Sequence, residues 1–303
     1  MPLLRSMPVF AFAFALPLPL GACAQRDVPR NMSPTQTNEQ GCTRKRSIGP
    51  QDAYAVPVPL KQACVGPYLL ELPQNYYYNQ MGPWHDDSFS LALEYPSLQP
   101  FKPGERINPS VDVGIRTVTV SYSYISRLDV RQALRNQYTP MEYEKDDPAA
   151  SLATRIKGDS RYGLIPYYAD LERIRAFDRK RMGRERAPGV GSWYQDWFVA
   201  SDDDGQVQTF IWCTSREAVD PGVEFRDGKL VKNANRGVPE CVHWSILPGH
   251  RTLVKIRYPR VALESWLRTQ ERAHQLFVEN TDQQDGGEES TTLDKQDVVG
   301  ISS

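Results

Sequence analysis

The chain has 303 residues, with 36 Lys and Arg against 37 Asp and Glu and a formal charge of −1. That balance excludes the basic footprint of a nucleic-acid binder and a broad electrostatic attraction to anionic lipid. The length exceeds what one hydrophobic core usually fills, so two compact lobes are expected.

In chain order, the first element is one to be removed. Arg5 supplies a positive charge, and Pro8 to Leu20 (PVFAFAFALPLPL) is an apolar run leading into small residues, the anatomy of a signal peptide. The run contains Pro17 and Pro19 and is shorter than the roughly 20 apolar residues of a spanning helix. Leu20-Gly21-Ala22-Cys23 resembles the lipobox of bacterial lipoproteins. The resemblance implies cleavage after Ala22, diacylglycerol on the Cys23 thiol and an acylated new N-terminus, which together anchor stably where one acyl chain would not. Ala24, where an Asp would divert sorting, implies the outer membrane.

With Cys23 given to lipid, Cys42, Cys64, Cys213 and Cys241 remain. An even number in an exported chain predicts disulfides. Of the three pairings, Cys42 with Cys64 and Cys213 with Cys241 are favoured, because each closes a short loop within one region. Loop entropy then gives roughly 3 kcal/mol for each. A zinc site has no support, since there is no CxxC and no cysteine pair with histidines at ligand spacing.

Composition divides the mature chain. Residues 23–60 are read as a lipidated, flexible tether, polar from Cys23 to about Gln51. Residues 61–190 form an N-terminal α+β lobe and residues 191–280 a C-terminal α+β lobe, each a mainly antiparallel sheet covered by helices. Residues 281–303 are acidic, nearly without apolar side chains, and read as a disordered tail.

Within the lobes, Cys64 to Leu72, Phe89 to Tyr95 and Val111 to Ser126 read as strands, the last alternating strictly in TVTVSYSY. Arg127 to Gln137 has helical spacing with Ser126 as its cap, and Tyr168 to Arg181 is a second helix. Trp193 to Ala200 and Gln206 to Cys213 flank Asp202-Asp203-Asp204-Gly205, a strong hairpin cue that also accounts for the acidic triplet. Cys241 to Leu247 and Thr252 to Tyr258 form another hairpin. Pro259 then opens a helix that places Leu263, Trp266, Leu267, His274 and Phe277 on one covering face.

Motifs for catalysis are missing: there is no GxSxG, HExxH, P-loop or GxGxxG. Gly158-Asp159-Ser160 shares its letters with a block of serine esterases, but Arg161 follows where that block has an apolar residue. No catalytic residue, metal site or cofactor is therefore expected. Two segments suit a protein partner instead. Gln74 to Asp87 sets Tyr76, Tyr77, Tyr78 and Trp84 among Asn, Gln, Gly and Pro, the mix of binding loops, with core positions on a strand edge as the equal alternative. Arg173 to Arg186 carries Arg179, Arg181 and Arg184, either a solvated helix face or a patch that steers an acidic partner.

The lipobox, Cys64-Val65-Gly66 followed by Tyr68-Leu69-Leu70-Glu71-Leu72-Pro73, and the block from Cys241-Val242-His243 to Arg257-Tyr258-Pro259 with its covering helix together resemble lipoprotein immunity proteins that neutralise type VI secretion lipase effectors. The likeness spans the signal and about half of the mature chain, and Pro67 stands where many relatives have a basic residue. It implies a periplasm-facing, non-enzymatic inhibitor that binds a cognate phospholipase and blocks its active site or activation. The competing class is an envelope assembly or scaffold lipoprotein.

Overall fold

A computed structural model describes residues 33–48, 50–185, 194–216, 222–233 and 237–283. The signal segment, Cys23 and the tail from residue 284 lie outside the described residues. None of the described helices is long and apolar enough to cross a membrane.

The chain opens with a short hairpin, β1 (Thr35–Thr37) and β2 (Thr43–Lys45), and a longer one, β3 (Leu60–Val65) and β4 (Tyr68–Pro73). Next come β5 (Leu91–Glu94), β6 (Gln99–Pro100), α1 (Val111–Ile115), β7 (Thr117–Tyr124), α2 (Val130–Arg135), β8 (Ile156–Lys157), β9 (Ile165–Tyr168) and α3 (Leu171–Met182). The second half supplies β10 (Asp196–Ser201), β11 (Val207–Cys213), β12 (Val223–Arg226), β13 (Lys229–Lys232), β14 (Glu240–Leu247), β15 (Thr252–Pro259), α4 (Trp266–Asn280) and β16 (Thr281–Gln283).

Nine of these strands form one antiparallel sheet in the order β6-β5-β7-β15-β14-β11-β10-β9-β8. The α+β class stands, but the division into two lobes near residue 190 does not. β7 from the first half pairs with β15 from the second, from Tyr124↔Thr252 to Thr119↔Arg257, and β9 pairs with β10 across the expected boundary. A longer chain needs a second core only where its layers thicken, and a wide sheet adds residues sideways at constant thickness.

The ends also depart from expectation. Part of the supposed tether is β1 and β2, with Cys42 bonded to Cys64, and the start of the supposed tail is β16, paired antiparallel to β4. Cys213 is bonded to Cys241 across β11 and β14, so both expected pairings are present. Gly66 turns β3 into β4 with φ +60°, and a Cβ there would lie 2.2 Å from the Tyr124 ring, which rests on the bare turn.

Helix boundaries follow their caps. Asp129, not Ser126, starts α2, its carboxylate accepting the Arg131 and Gln132 amides. Asp170 caps α3, and Gly183 ends it at φ +69°. A helical turn, α1, interrupts the expected strand before β7. Pro259 leads first into a 3-10 stretch, Arg260–Ser265, and this tighter winding shifts the phase of α4. Its buried face is therefore Trp266, Thr269, Ala273, Leu276 and Phe277, while Leu267, assigned to that face from sequence, is exposed.

α4 covers one face of the sheet. Val118, Val120 and Tyr122 of β7, Val254 and Ile256 of β15 and Ile211 of β11 lie in the core it closes, and the Tyr122 hydroxyl donates to the Ala273 carbonyl at 2.8 Å. Each fully buried aliphatic or aromatic side chain there contributes roughly 1.5–3 kcal/mol. The opposite face is divided. Trp197, Phe210, Val242 and Trp244 are covered by Val130 and Leu134 of α2. Thr117, Thr119 and Ser121 of β7, with Lys255 and Arg257 of β15, keep partial or full exposure.

Candidate docking surface

The open part of that second face is bordered by Gln74–Asp87, the aromatic segment that leads into β5. Its backbone is extended at Tyr77, so successive side chains point to opposite sides. Tyr77 turns inward and is fully buried, its hydroxyl donating to the Lys61 carbonyl at 2.9 Å and its ring meeting Phe89 edge to face at 5.7 Å. Burial raises its phenol well above the usual range. Tyr77 is thus a core residue, which corrects its assignment as a contact residue. Tyr76 is half-buried against the core, its oxygen accepting from Arg272 Nη2 at 3.3 Å.

Tyr78 and Trp84 face outward, 52% and 58% exposed. They line one side of a groove of about 560 Å³ whose floor includes Ser90, Thr117 and Thr119. The far side holds Val238 and the pair Arg257–Glu240, in which Nη2 contacts both carboxylate oxygens at 2.8 and 2.9 Å. Tyr78 is held from behind. The buried Arg106 guanidinium lies 4.3 Å from its ring centroid, donates to its carbonyl at 3.3 Å, and donates to Thr117 Oγ1 at 2.6 Å. Burial lowers the Arg106 pKa, opposed by the Tyr78 phenol group. A rigid exposed Tyr and Trp beside hydroxyls and one ion pair can bury large area with little entropy loss, as protein-binding hot spots do.

Adjacent carboxylates in Trp84-His85-Asp86-Asp87 are consumed locally. Asp86 accepts the Ser88 amide and hydroxyl, which hold its carboxyl below the usual range. Asp87 pairs with Arg44; burial raises its pKa and Arg44 opposes the rise. Among the described residues, no group of three His, Cys, Asp or Glu is arranged to hold a metal.

Arg179, Arg181 and Arg184 do not reach this groove. All three are exposed on or just after α3, where Arg179 pairs with Glu185 and Arg181 lies over Phe177 at 5.6 Å. α3 follows β9, and β9 is six strand steps from β5, about 29 Å at sheet spacing. A second cleft, of about 610 Å³, is lined by Arg161, Tyr162, Arg216, Phe225, Pro239 and Glu264 among others. Sequence reading missed Arg106, Thr117, Thr119, Val238, Glu240 and Arg257. The signal available was the alternation of TVTVSYSY, which assigns Thr117 and Thr119 to one face.

Two candidate chemistries resolve plainly. Ser160 is exposed beside β8, and among the described residues no imidazole bonds to it. A serine–histidine pair does exist, Ser245 Oγ to His274 Nε2 at 2.8 Å, next to His243 bonded to Gln270 at 2.9 Å. Both Ser245 and His243 are fully buried beneath α4, closed to any substrate. Burial lowers His243 to about 3 and His274 to about 4, so both are neutral structural bridges at ordinary pH.

The fold has a solved counterpart. It is similar to the structure of Smlt3025, an immunity protein of the Stenotrophomonas maltophilia type IV secretion system, with a TM-score of 0.65 over 83% of this chain and 100% of that one. Sequence identity is 23%, so the likeness shows a shared fold. No protein-family model matches the chain, and no curated protein sequence matches it.

Proposed function

We propose that this chain is an immunity protein that binds and neutralises a toxic effector delivered by a bacterial secretion system, and that Tyr78 and Trp84 anchor the complex. The observation that carries the reading is the groove: an outward Tyr and Trp, supported from behind, on a fold similar to that of an immunity protein. In this reading inhibition is by occupancy of the effector, and the Ser245–His274 pair, sealed in the core, serves packing.

The finer assignments come from sequence. The resemblance to immunity lipoproteins names the partner as a phospholipase and its system as type VI, while Smlt3025 belongs to a type IV system. Both agree on immunity, and the phospholipase remains the partner this reading takes. Cys23 carries the lipid that holds the chain at the periplasmic side of the outer membrane, where a bound inhibitor meets the lipase before the lipase meets lipid. Cys23→Ser is then expected to move the chain from the membrane fraction to the soluble periplasm.

Co-expression tests the reading. The product of the neighbouring effector gene, sent to the periplasm, is expected to kill alone, to be tolerated with this chain, and to co-purify with it one to one. Neither rescue nor complex would contradict the proposal. An envelope scaffold would instead show damage on deletion in a strain stripped of all effectors.

A further inference from the structure

Trp84 stands on a support drawn from 40 residues upstream. Arg44 of β2 is almost fully buried, with 3% of its side chain exposed. Its Nη2 donates to Gln36 Oε1 at 2.9 Å and to the Trp84 carbonyl at 3.0 Å, and its Nε lies 2.5 Å from Asp87 Oδ1. Asp87 closes the turn that carries Trp84: its amide donates to the Trp84 carbonyl at 3.1 Å, while the Trp84 amide donates to the Ser88 carbonyl at 2.9 Å. The Cys64 backbone also favours the charged form of Asp87, against the burial that raises its pKa.

Cys64 is in turn bonded to Cys42, two residues before Arg44. Asn38 adds a bridge over the same gap, accepting the Cys42 amide at 2.9 Å and donating to the Gly66 carbonyl at 2.7 Å. β1 and β2 are only three residues each and pair with each other alone. A two-stranded hairpin of this size is marginal by itself. The crosslink, with the Asn38 bridge and the Lys45 amide donating to Gln62 Oε1 at 2.8 Å, keeps Arg44 against the turn. If the hairpin leaves, Asp87 loses its cation, and an uncompensated buried carboxylate draws the turn toward water.

We propose that the Cys42–Cys64 bond and Arg44 form a latch that holds Trp84 in its docking position, so that the protein becomes competent for its partner only after those two thiols are oxidised. Arg44 is a positioning residue here, and the inference rests on the docking role given above to Trp84. Latching is a two-electron step: two thiols give up two electrons and two protons to a disulfide donor of the export compartment, which leaves as a dithiol. Before export the chain would fold its large sheet yet present Trp84 loosely.

Cys213–Cys241 is the internal control, since it joins β11 to β14 inside the sheet and touches none of these groups. Amide exchange on the full chain reads the latch with no partner present. Arg44→Ala, and separately Cys42→Ser with Cys64→Ser, are expected to speed exchange at the Trp84 and Asp87 amides about tenfold or more, while β7 and β15 stay protected. Cys213→Ala with Cys241→Ala is expected to leave the Trp84 and Asp87 amides unchanged. In parallel, affinity for the neighbouring effector is expected to fall about tenfold in the latch variants. Unchanged protection at Trp84 and Asp87, or lost protection with unchanged affinity, would overturn the latch. If Arg44→Ala does not fold, Arg44→Lys supplies the same comparison, and dithiothreitol treatment of the Cys213→Ala, Cys241→Ala variant reads the Cys42–Cys64 bond alone. A wild-type protein that forms no complex refutes the immunity reading instead, and exchange alone then decides the latch.

Discussion

The two faces of the nine-stranded sheet use the same strands for different ends. Under α4 polar groups of the core pair with one another: Tyr122 with the Ala273 carbonyl, Ser245 with His274, and His243 and Thr209 with Gln270. On the opposite face, β7 and β15 present Thr117, Thr119 and Arg257 to a groove, and the side chains at its rim are exposed but held from behind. The difference teaches that alternation along a strand divides labour. Val118 and Val120 pack the core while Thr117 and Thr119, one residue away, form the floor of a surface.

The contrast can be broken most forcefully from the closed side by acid. Burial pushes His243 down to about 3 and His274 to about 4 in the folded chain, below their usual 6.5. The unfolded chain takes up those protons first, so the stabilisation is complete above pH 6.5 and is lost as pH falls through the window from 6.5 toward 4, on the order of 3 kcal/mol per imidazole. Urea midpoints measured at pH 7 and pH 4.5 should differ accordingly, and His243→Gln should shrink that difference.

Truncation ranks next. Phe277→Ala, on the buried face of α4, should cost about 3–5 kcal/mol in chemical unfolding, and Tyr77→Ala a similar amount. Tyr78→Ala, one residue on, should leave the midpoint within about 0.5 kcal/mol of wild type, as surface changes usually do. Equal losses at Tyr77 and Tyr78 would erase the distinction between the faces. At the groove rim, Arg257→Ala removes an ion pair that is about half exposed, and calorimetry should show a loss of no more than about 1 kcal/mol.

The smallest effect is expected far from the groove. Arg181→Ala and Arg184→Ala, on solvated positions beside β9, should change neither stability nor partner affinity by more than about 0.5 kcal/mol. A larger loss of affinity would move the docking surface to the other edge of the sheet.

How much of this was legible in the sequence follows from the range of the forces involved. Local signals read true: the Asp202–Gly205 turn, the β14–β15 hairpin and the disulfide pairs all rest on neighbours within about 30 residues. Long-range facts did not show. Nothing near β7 announces that its partner is β15, and nothing near Trp84 announces Arg44. The aromatic segment was singled out correctly as unusual, yet Tyr77 and Tyr78 carry the same letter, and only the tertiary position of the strand decides which of them is buried. The arginine run is equally suitable by composition, but Arg179, Arg181 and Arg184 are exposed on or just after one helix, without the fixed support that Arg106 gives Tyr78.

The most direct measurement is a calorimetric titration of the neighbouring effector into the wild type and into the double variant Tyr78→Ala, Trp84→Ala. The groove predicts a one-to-one complex whose affinity falls by about 2 kcal/mol or more in the variant, roughly thirtyfold, with the unfolding midpoint unchanged. Equal affinity for the two proteins would contradict it.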